Sequence, residues 1–204
     1  MLRLKHLALA AVFAAGLLAL PAHANIQPGA AAPDFTAKAI DGKELTLSGL
    51  KGKTVVLEWS NYDCPFVRMH YSSDNIPNLQ SKYTEKDVVW LTVMSSAPGK
   101  QGYYTADELI ARGQKVNNHA THVLMDADGK IGKLYAAKTT PHIFVIDKAG
   151  MVQYNGAIDS IPSSDKQSLS RAEPLAAKAI DAVLAGNEPE NAANKPYGCG
   201  VKYN

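Results

Sequence analysis

Cysteine is scarce in this sequence, because only Cys64 and Cys199 occur among 204 residues. An even count permits one disulfide bond but does not require it, since a core of this length needs no covalent staple. The residue count therefore leaves open whether the two thiols ever meet.

Long apolar runs are equally scarce, and the one that is present covers residues 7–20. A basic start precedes it and Ala22-His23-Ala24 follows it, which is the pattern of a cleaved secretory signal peptide over residues 1–24. The run is short for a membrane span, so a retained N-terminal anchor is the weaker alternative. We expect an exported protein, periplasmic in a bacterium, with no stable membrane association after signal cleavage.

Excess charge of one sign is missing as well. The 21 basic and 19 acidic residues of the whole chain become 19 of each once Arg3 and Lys5 leave with the signal peptide. A balanced charge gives no electrostatic reason to expect nucleic acid or an anionic surface as a partner.

Strand and helix patterns alternate along the rest of the chain. A hairpin over residues 35–47 leads to strands at residues 54–60, 87–95, 123–125, 142–147 and 151–155, with helices at residues 65–82, 105–117, 131–136 and 172–185. Pro77 should kink or split the first of these helices. The order predicts an α/β fold in which a mixed central sheet is flanked by helices and begins with an N-terminal β-hairpin. We expect one domain over residues 25–190 and a tail over residues 191–204.

The junction after the first central strand carries the most informative cysteine. Polar residues 61–63 follow the strand, and Cys64 then precedes Pro65, a residue that is tolerated at the first position of a helix. A thiol at a helix N-terminus is favoured in its thiolate form, which is the nucleophile. Cys64 is therefore a candidate redox cysteine, although a lone cysteine is more commonly a small buried core residue.

Several motifs together resemble those of the thioredoxin-fold redoxins of the alkyl-hydroperoxide-reductase/thiol-specific-antioxidant type. They are Ala32-Pro-Asp-Phe35, Asp41-Gly-Lys43, Leu50-Lys-Gly-Lys-Thr-Val-Val-Leu57 and Cys64-Pro65. The ending Lys195-Pro-Tyr-Gly-Cys-Gly-Val-Lys-Tyr203 is similar to that of a peroxiredoxin-like subgroup with a C-terminal Gly-Cys tail. The resemblance implies a thioredoxin-like fold and thiol-based redox chemistry.

The resemblance also assigns a pocket around the thiol of Cys64. Thr140-Pro141 is similar to the cis-proline segment that faces the active cysteine in thioredoxins, so both residues are expected in the pocket with Asn61 and Pro65. Arg68 follows in the first turn of the helix, and from its spacing it could reach the thiolate.

Three positions depart from the family pattern. Val67 stands where thioredoxins carry the second cysteine of Cys-x-x-Cys, which removes a local resolving thiol. Asn61 stands where peroxiredoxins carry threonine or serine, and Pro141 stands where they place an arginine. The first departure argues against ordinary disulfide reduction, and the other two argue against fast peroxide reduction.

Cys199 is the only candidate for a resolving thiol. It could condense with an oxidised Cys64, or it could form a permanent clip that pins the tail to the domain. A third possibility is that the two thiols never meet. Glycines on both sides of Cys199 give the tail freedom to move.

Copper binding is the main alternative from another class, because Cys64, Met69 and His70 offer soft sulfur and imidazole. More distant imidazoles stand at His119, His122 and His142. Arg68 occupies the place where some thioredoxin-fold copper chaperones carry a second cysteine, so redox chemistry is preferred and no metal or cofactor is assigned. Asp126-Ala-Asp-Gly129 opens like a calcium loop but lacks the downstream ligands, which makes it a turn.

The sequence thus predicts an exported thiol oxidoreductase with Cys64 as nucleophile. Its substrate is a peroxide or a disulfide, and a separate thiol reductant completes the cycle. A non-catalytic binding domain on the same fold is the remaining alternative.

Overall fold

A computed structural model describes residues 26–204 as one sheet with helices on both of its faces. The sheet has seven strands in the order β2-β1-β5-β4-β3-β7-β8. Strand β3 lies parallel to β4, and β4 lies parallel to β5, whereas the other pairs are antiparallel. The strands are β1 (Thr36–Ala39), β2 (Glu44–Thr46), β3 (Val55–Trp59), β4 (Val89–Met94), β5 (His122–Met125), β7 (His142–Ile146) and β8 (Val152–Gly156).

A separate two-stranded ladder lies beside this sheet and joins distant parts of the chain. It pairs β6 (Thr139–Thr140) with β9 (Cys199–Gly200) in antiparallel fashion. Neither strand is foreseen from the sequence, because two residues carry no alternation pattern. The predicted signal peptide, residues 1–24, lies outside the described residues.

Five α-helices cover the sheet: α1 (Pro65–Ser72), α2 (Asn75–Thr84), α3 (Ala106–Lys115), α4 (Lys130–Leu134) and α5 (Leu175–Leu184). The predicted helix over residues 65–82 is split, as expected, but the break is at Ser73 and Asp74. Asp74 adopts a left-handed backbone with φ 57°, and Pro77 falls in the first turn of α2, where its missing N–H does little harm. The sequence placed the start of the last helix too early, because residues 166–170 form a 3₁₀ turn and Pro174 delays α5.

Strand β3 is buried on both faces because each face packs against its own core. Val56 joins the core formed with α1, α2 and α5, whereas Val55, Leu57 and Trp59 join the core on the opposite face. Burying one such side chain fully contributes about 1.5–3 kcal/mol. This double burial explains the unbroken apolar run that predicted a central strand.

Glu58 is the exception on this strand, because it is a carboxylic acid that is completely buried. Its carboxyl oxygens accept hydrogen bonds from Tyr71 Oη (3.0 Å), Gln80 Nε2 (3.1 Å) and Trp90 Nε1 (2.8 Å). Burial raises the pKa of Glu58. The strand pattern predicted burial but not a buried acid.

The observed architecture confirms the predicted α/β class, with a mixed central sheet, flanking helices and an N-terminal hairpin made by β1 and β2. Residues 199–200 also take part in a strand pair of the folded unit. No helix within residues 26–204 is long and apolar enough to cross a bilayer.

Candidate active site

Cys64 lies at the N-terminus of α1, where it is the N-cap residue and Pro65 is the first helical residue. The turn before it closes through a hydrogen bond from the Cys64 amide to the Asn61 carbonyl oxygen (2.9 Å). The side chain is completely buried, and its thiol donates a hydrogen bond to the Thr140 carbonyl oxygen at 3.1 Å. The predicted strand-to-helix junction is therefore present, with the thiol facing the predicted pocket segment.

Thr140 connects the two cysteines. Its peptide bond to Pro141 is cis, as the family resemblance implies, and both residues are buried. On the antiparallel β6–β9 ladder, Cys199 is the register partner of Thr140. One residue thus accepts a hydrogen bond from Cys64 and stands opposite Cys199.

Cys199 is half-buried beside Cys64, and both are free thiols. Burial is the main reason why the pKa of Cys199 rises to about 12, and a hydrogen bond to Cys64 and the negative charge of Cys64 add to it. The pairing of β6 with β9 sets Cys199 opposite Thr140, the residue whose carbonyl oxygen accepts from Cys64. The structure therefore brings together the two cysteines that the sequence could not place relative to each other.

Residues 197–203, here called the closing segment, run beside the site, where Tyr197 and Cys199 pack against the apolar cluster that contains Cys64. The Val201 amide donates to the Lys138 carbonyl oxygen (3.1 Å), and the Lys202 carbonyl oxygen accepts from the Ala97 amide (2.9 Å). Tyr203 Oη donates to the Ala137 carbonyl oxygen (2.9 Å). The segment thus contacts the loop that follows β4 and the residues between α4 and β6, as well as strand β6.

Asn61 shapes the turn and lies buried behind the thiol. Its Oδ1 accepts from the Asp63 amide (2.9 Å), and its Nδ2 donates to the Gln101 carbonyl oxygen (3.3 Å). Gly102 approaches so closely that a Cβ there would overlap the Asn61 amide group. Asn61 therefore fixes a neighbouring loop. Its amide is engaged in these hydrogen bonds and is not free to contact a bound peroxide.

Asp63 stands next to the thiol, but its charge is matched by a partner that sequence spacing did not predict. Arg112 on α3 pairs with the Asp63 carboxylate (3.3 Å) and lies over the Tyr104 ring at 3.7 Å. Tyr104 Oη also donates to Asp63. A cation is thus present near the junction, and it is held by the carboxylate.

The structure does not bring Arg68 to the thiol. Its side chain is exposed, and it makes no hydrogen bond or ion pair to Cys64 among the described residues. It lines an open groove of about 480 Å³ together with Lys115 and Lys166. Pro65 is exposed at the rim of the same groove.

A second group at the site was missed by the sequence reasoning: Tyr197, His70 and Asp159. Tyr197 Oη donates to Asp159 Oδ1 at 2.6 Å, and His70 Nε2 lies 3.1 Å from the same hydroxyl. The position of Tyr197, two residues before Cys199 in the tail motif, was the one available signal. Asp159 lies in a loop that carries no motif.

Two histidines of the copper hypothesis, His70 and His142, are engaged in hydrogen bonds within the protein. Both ring nitrogens of His70 have partners, and His142 bonds Asn155 Oδ1 (2.7 Å) and the Lys138 amide (3.4 Å). Burial lowers the pKa of each of these two imidazoles to about 4, so both are neutral at pH 7. Within residues 26–204, no group of three or more His, Cys, Asp and Glu side chains is arranged to hold a metal ion.

Comparison with known proteins agrees with this architecture. A hypothetical protein from Sinorhizobium meliloti 1021 is 22% identical with a TM-score of 0.72, over 88% of this chain and 96% of that chain. An uncharacterized conserved protein from Geobacillus kaustophilus is 21% identical with a TM-score of 0.72, over 88% and 93% of the two chains. A candidate protein disulfide isomerase from Bacteroides thetaiotaomicron is 18% identical with a TM-score of 0.58, over 78% and 91%.

These structures show that the fold is thioredoxin-like. The search of curated proteins gave no significant match. The Redoxin family model matches residues 27–172, which is more than half of the sequence and includes Cys64, Thr140 and Pro141. The chain therefore belongs to the Redoxin family.

Proposed function

We propose that this redoxin is a two-cysteine thiol oxidoreductase in which Cys64 is the nucleophile and Cys199 is the resolving thiol. The observation that carries the proposal is the shared partner Thr140, whose carbonyl oxygen accepts from Cys64 and whose register partner is Cys199. A reactive thiol at a helix N-terminus and a second thiol held beside it form a dithiol pair. The second thiol replaces the one missing at Val67.

With a disulfide substrate, the Cys64 thiolate attacks one sulfur atom and the other leaves as a thiolate. This step forms a mixed disulfide at Cys64. The Cys199 thiolate then attacks the Cys64 sulfur, which forms the Cys64–Cys199 bond and releases the second substrate thiol. The substrate disulfide gains two electrons, the two cysteines lose them, and an external dithiol restores the reduced pair.

The raised pKa of Cys199 supports this order of events. With its pKa raised to about 12, Cys199 keeps its proton at neutral pH, because burial and a thiolate at Cys64 both oppose its ionisation. Once Cys64 is part of a mixed disulfide, that charge is gone and Cys199 loses its proton more readily. Cys199 thus becomes more reactive once the mixed disulfide at Cys64 has formed.

Disulfides are the preferred substrates over peroxides. Peroxide reduction would convert Cys64 to a sulfenic acid, releasing an alcohol or water, and condensation with Cys199 would then release a further water. Position 61 offers an amide that is already engaged, and Arg112 is held by Asp63. The peroxiredoxin-like chemistry of the tail motif is therefore the second route, and the Bacteroides neighbour named for disulfide isomerisation favours the first.

The proposal includes export to an oxidising compartment, because residues 1–24 have the pattern of a secretory signal. There, a disulfide-bearing protein or small molecule would be the substrate, and a dithiol would be the reductant.

The test uses purified mature protein in the reduced state. We treat it with one equivalent of a small aromatic disulfide or of hydrogen peroxide, alkylate the remaining thiols, and map the cysteine peptides by mass spectrometry. We expect a Cys64–Cys199 peptide after disulfide treatment, formed much faster than after peroxide treatment. Cys199→Ser should accumulate the mixed disulfide at Cys64, and Cys64→Ser should form none. Two thiols that remain freely alkylated after both treatments would contradict the proposal, and faster reaction with peroxide would favour the second route.

A further inference from the structure

Tyr197 anchors the closing segment to the same helix that presents Cys64. Its hydroxyl lies between His70 on α1 and Asp159 after β8, and its ring meets the Phe66 ring edge to face with centroids 5.7 Å apart. Phe66 and His70 are the second and sixth residues of α1, so the tyrosine packs along the helix behind the thiol.

The hydrogen bonds of this anchor have a fixed direction. Asn75 Nδ2 donates to His70 Nδ1 (2.8 Å), so the proton of the neutral imidazole is on Nε2. His70 Nε2 therefore donates to Tyr197 Oη, and Tyr197 donates to Asp159 Oδ1. Both side chains that are hydrogen-bonded to the Tyr197 hydroxyl are buried, with 0% of the His70 side chain and 5% of the Asp159 side chain exposed.

Asp159 depends on this hydroxyl more than the distances alone show. Its other carboxyl oxygen, Oδ2, is buried without a hydrogen-bond partner among residues 26–204, although His70 Nε2 lies 3.9 Å away. The remaining bond to the carboxylate comes from the Ile161 amide (3.0 Å). Removal of the Tyr197 hydroxyl would leave a buried carboxylate with one donor, which is a costly arrangement.

Cys64 caps α1 and His70 is the sixth residue of this helix, a rise of about 9 Å along its axis. In the closing segment, Tyr197 stands two residues before Cys199, so the segment joins the contact with His70 to the strand pair beside Thr140. An anchor on α1 fixes Cys199 relative to Cys64 through a single helix.

We propose that Tyr197 is the positioning residue for the resolving step, and that the His70–Tyr197–Asp159 anchor both holds Cys199 against Cys64 and closes Cys64 to external reagents. This inference rests on the proposed pairing of Cys64 with Cys199. Docking of the segment raises the effective concentration of one thiol at the other, in the way that a short linker does for two joined binding sites. With the segment docked, Cys64 is completely buried.

Because the anchor is proposed both to hold Cys199 at Cys64 and to close Cys64, its loss should change two measured quantities that general destabilisation would leave unchanged. Tyr197→Phe keeps the ring and loses the hydroxyl, so the closing segment should leave its position more often. Cys64 should then react about tenfold faster with a small alkylating reagent, while the equilibrium constant for the Cys64–Cys199 disulfide should fall by about tenfold. For a two-electron couple, that fall raises the reduction potential by about 30 mV.

Tyr83→Phe is the matched control. Tyr83 is also fully buried, and its hydroxyl donates to the Ala177 carbonyl oxygen (2.9 Å) on the side of the fold formed by α2 and α5. It should lose a similar amount of stability without changing either the alkylation rate of Cys64 or the potential of the pair. Asp159→Asn, which keeps an oxygen acceptor for Tyr197, should show a smaller change in the same direction as Tyr197→Phe.

The experiment equilibrates wild-type protein and the three variants with a dithiol–disulfide buffer and also times iodoacetamide labelling of Cys64. Near-ultraviolet circular dichroism selects the variants that fold, and Asp159→Asn carries the test if Tyr197→Phe does not. The inference is wrong if wild-type protein forms the disulfide and Tyr197→Phe matches Tyr83→Phe in potential and labelling rate. Absence of the Cys64–Cys199 disulfide in wild-type protein would instead contradict the proposed function.

Discussion

Gly198 packs directly against Thr140, so closely that a Cβ at position 198 would overlap the Thr140 carbonyl oxygen. Its φ of 127° also lies in a region that residues other than glycine rarely adopt. The same carbonyl oxygen accepts the hydrogen bond of the Cys64 thiol. The position of Gly198 is therefore coupled to the surroundings of Cys64 through one atom.

Replacing Gly198 by alanine should lift the closing segment away from Thr140. The strain of a side chain at this φ costs about 1–3 kcal/mol, and a shift of 1.4 kcal/mol corresponds to about a tenfold change in an equilibrium. We expect iodoacetamide to label Cys64 about tenfold faster in Gly198→Ala. Gly186→Ala is the control, because Gly186 also has a positive φ but no atom within 4 Å of the added Cβ. Equal labelling rates in the two variants would contradict the coupling.

Alkylation of Cys199 should depend on pH well above the neutral range. Its pKa of about 12 means that the thiolate fraction grows about tenfold with each pH unit between pH 7 and pH 10, without a plateau. Iodoacetamide labelling followed by mass spectrometry measures this slope. In Cys64→Ala the charge of Cys64 is absent, so labelling of Cys199 should be faster at every pH, although burial still opposes it. A labelling rate that reaches a plateau near pH 9 in wild-type protein would show that the pKa of Cys199 is not raised.

Loss of Arg112 should slow the reaction of Cys64. Arg112→Gln leaves the Asp63 carboxylate without its cation one residue from the thiol, and a neighbouring negative charge disfavours the thiolate. Because both side chains are over a third exposed, we expect only a two- to fivefold fall, roughly the worth of a surface ion pair.

The rate of mixed-disulfide formation at neutral pH, measured in a Cys199→Ser background, checks this effect of Arg112. The effect should shrink at high salt. Arg68→Gln should change the rate less than Arg112→Gln does, since the exposed Arg68 makes no hydrogen bond or ion pair to Cys64. A larger fall in rate for Arg68→Gln than for Arg112→Gln would instead support the expectation from sequence spacing that Arg68 reaches the thiolate.

Glu58→Gln should destabilise the fold by about 1–3 kcal/mol, because the amide nitrogen replaces an oxygen that accepts hydrogen bonds from buried neighbours. The loss should vary with pH. Burial raises the pKa of Glu58 in the folded state above its ordinary 4.5, so its favourable contribution is complete below pH 4.5 and is lost as pH rises through the folded value.

Urea unfolding of both proteins between pH 4.5 and pH 8 measures the difference in free energy of unfolding. The deficit of Glu58→Gln should be largest at pH 4.5 and should narrow as pH rises. Glu44→Gln, at an exposed position of β2, should stay within about 0.5 kcal/mol of wild type. A deficit that is constant with pH would show that Glu58 does not titrate in this range.

The elements of the sheet were predictable because their patterns are local. Apolar runs marked β3, β4 and β7, and α3 begins where it was predicted, with both hydrogen bonds of a capping box between Thr105 and Glu108. The break before α2 was misplaced because the sequence offered Pro77, whereas the chain turns at the left-handed Asp74.

Only part of the site was predictable from the sequence. Cys64, Thr140 and Pro141 follow from a local junction and a family motif, but the neighbourhood of Cys64 and Cys199 depends on two-residue strands with no period to detect. The partners of Asp63 and Tyr197 come from α3 and from the loop after β8. Such contacts are set by packing between distant parts of the chain, and a single sequence contains no local signal for them.

The closing segment has a consequence for how proteins of this type can diverge. The region matched by the Redoxin family ends at residue 172, whereas Cys199 belongs to the closing segment, residues 197–203. In the proposed mechanism, access to Cys64 and the step that follows its first reaction therefore depend on residues outside the matched region. A handful of substitutions there can give the same sheet a new client without disturbing a single strand of its core.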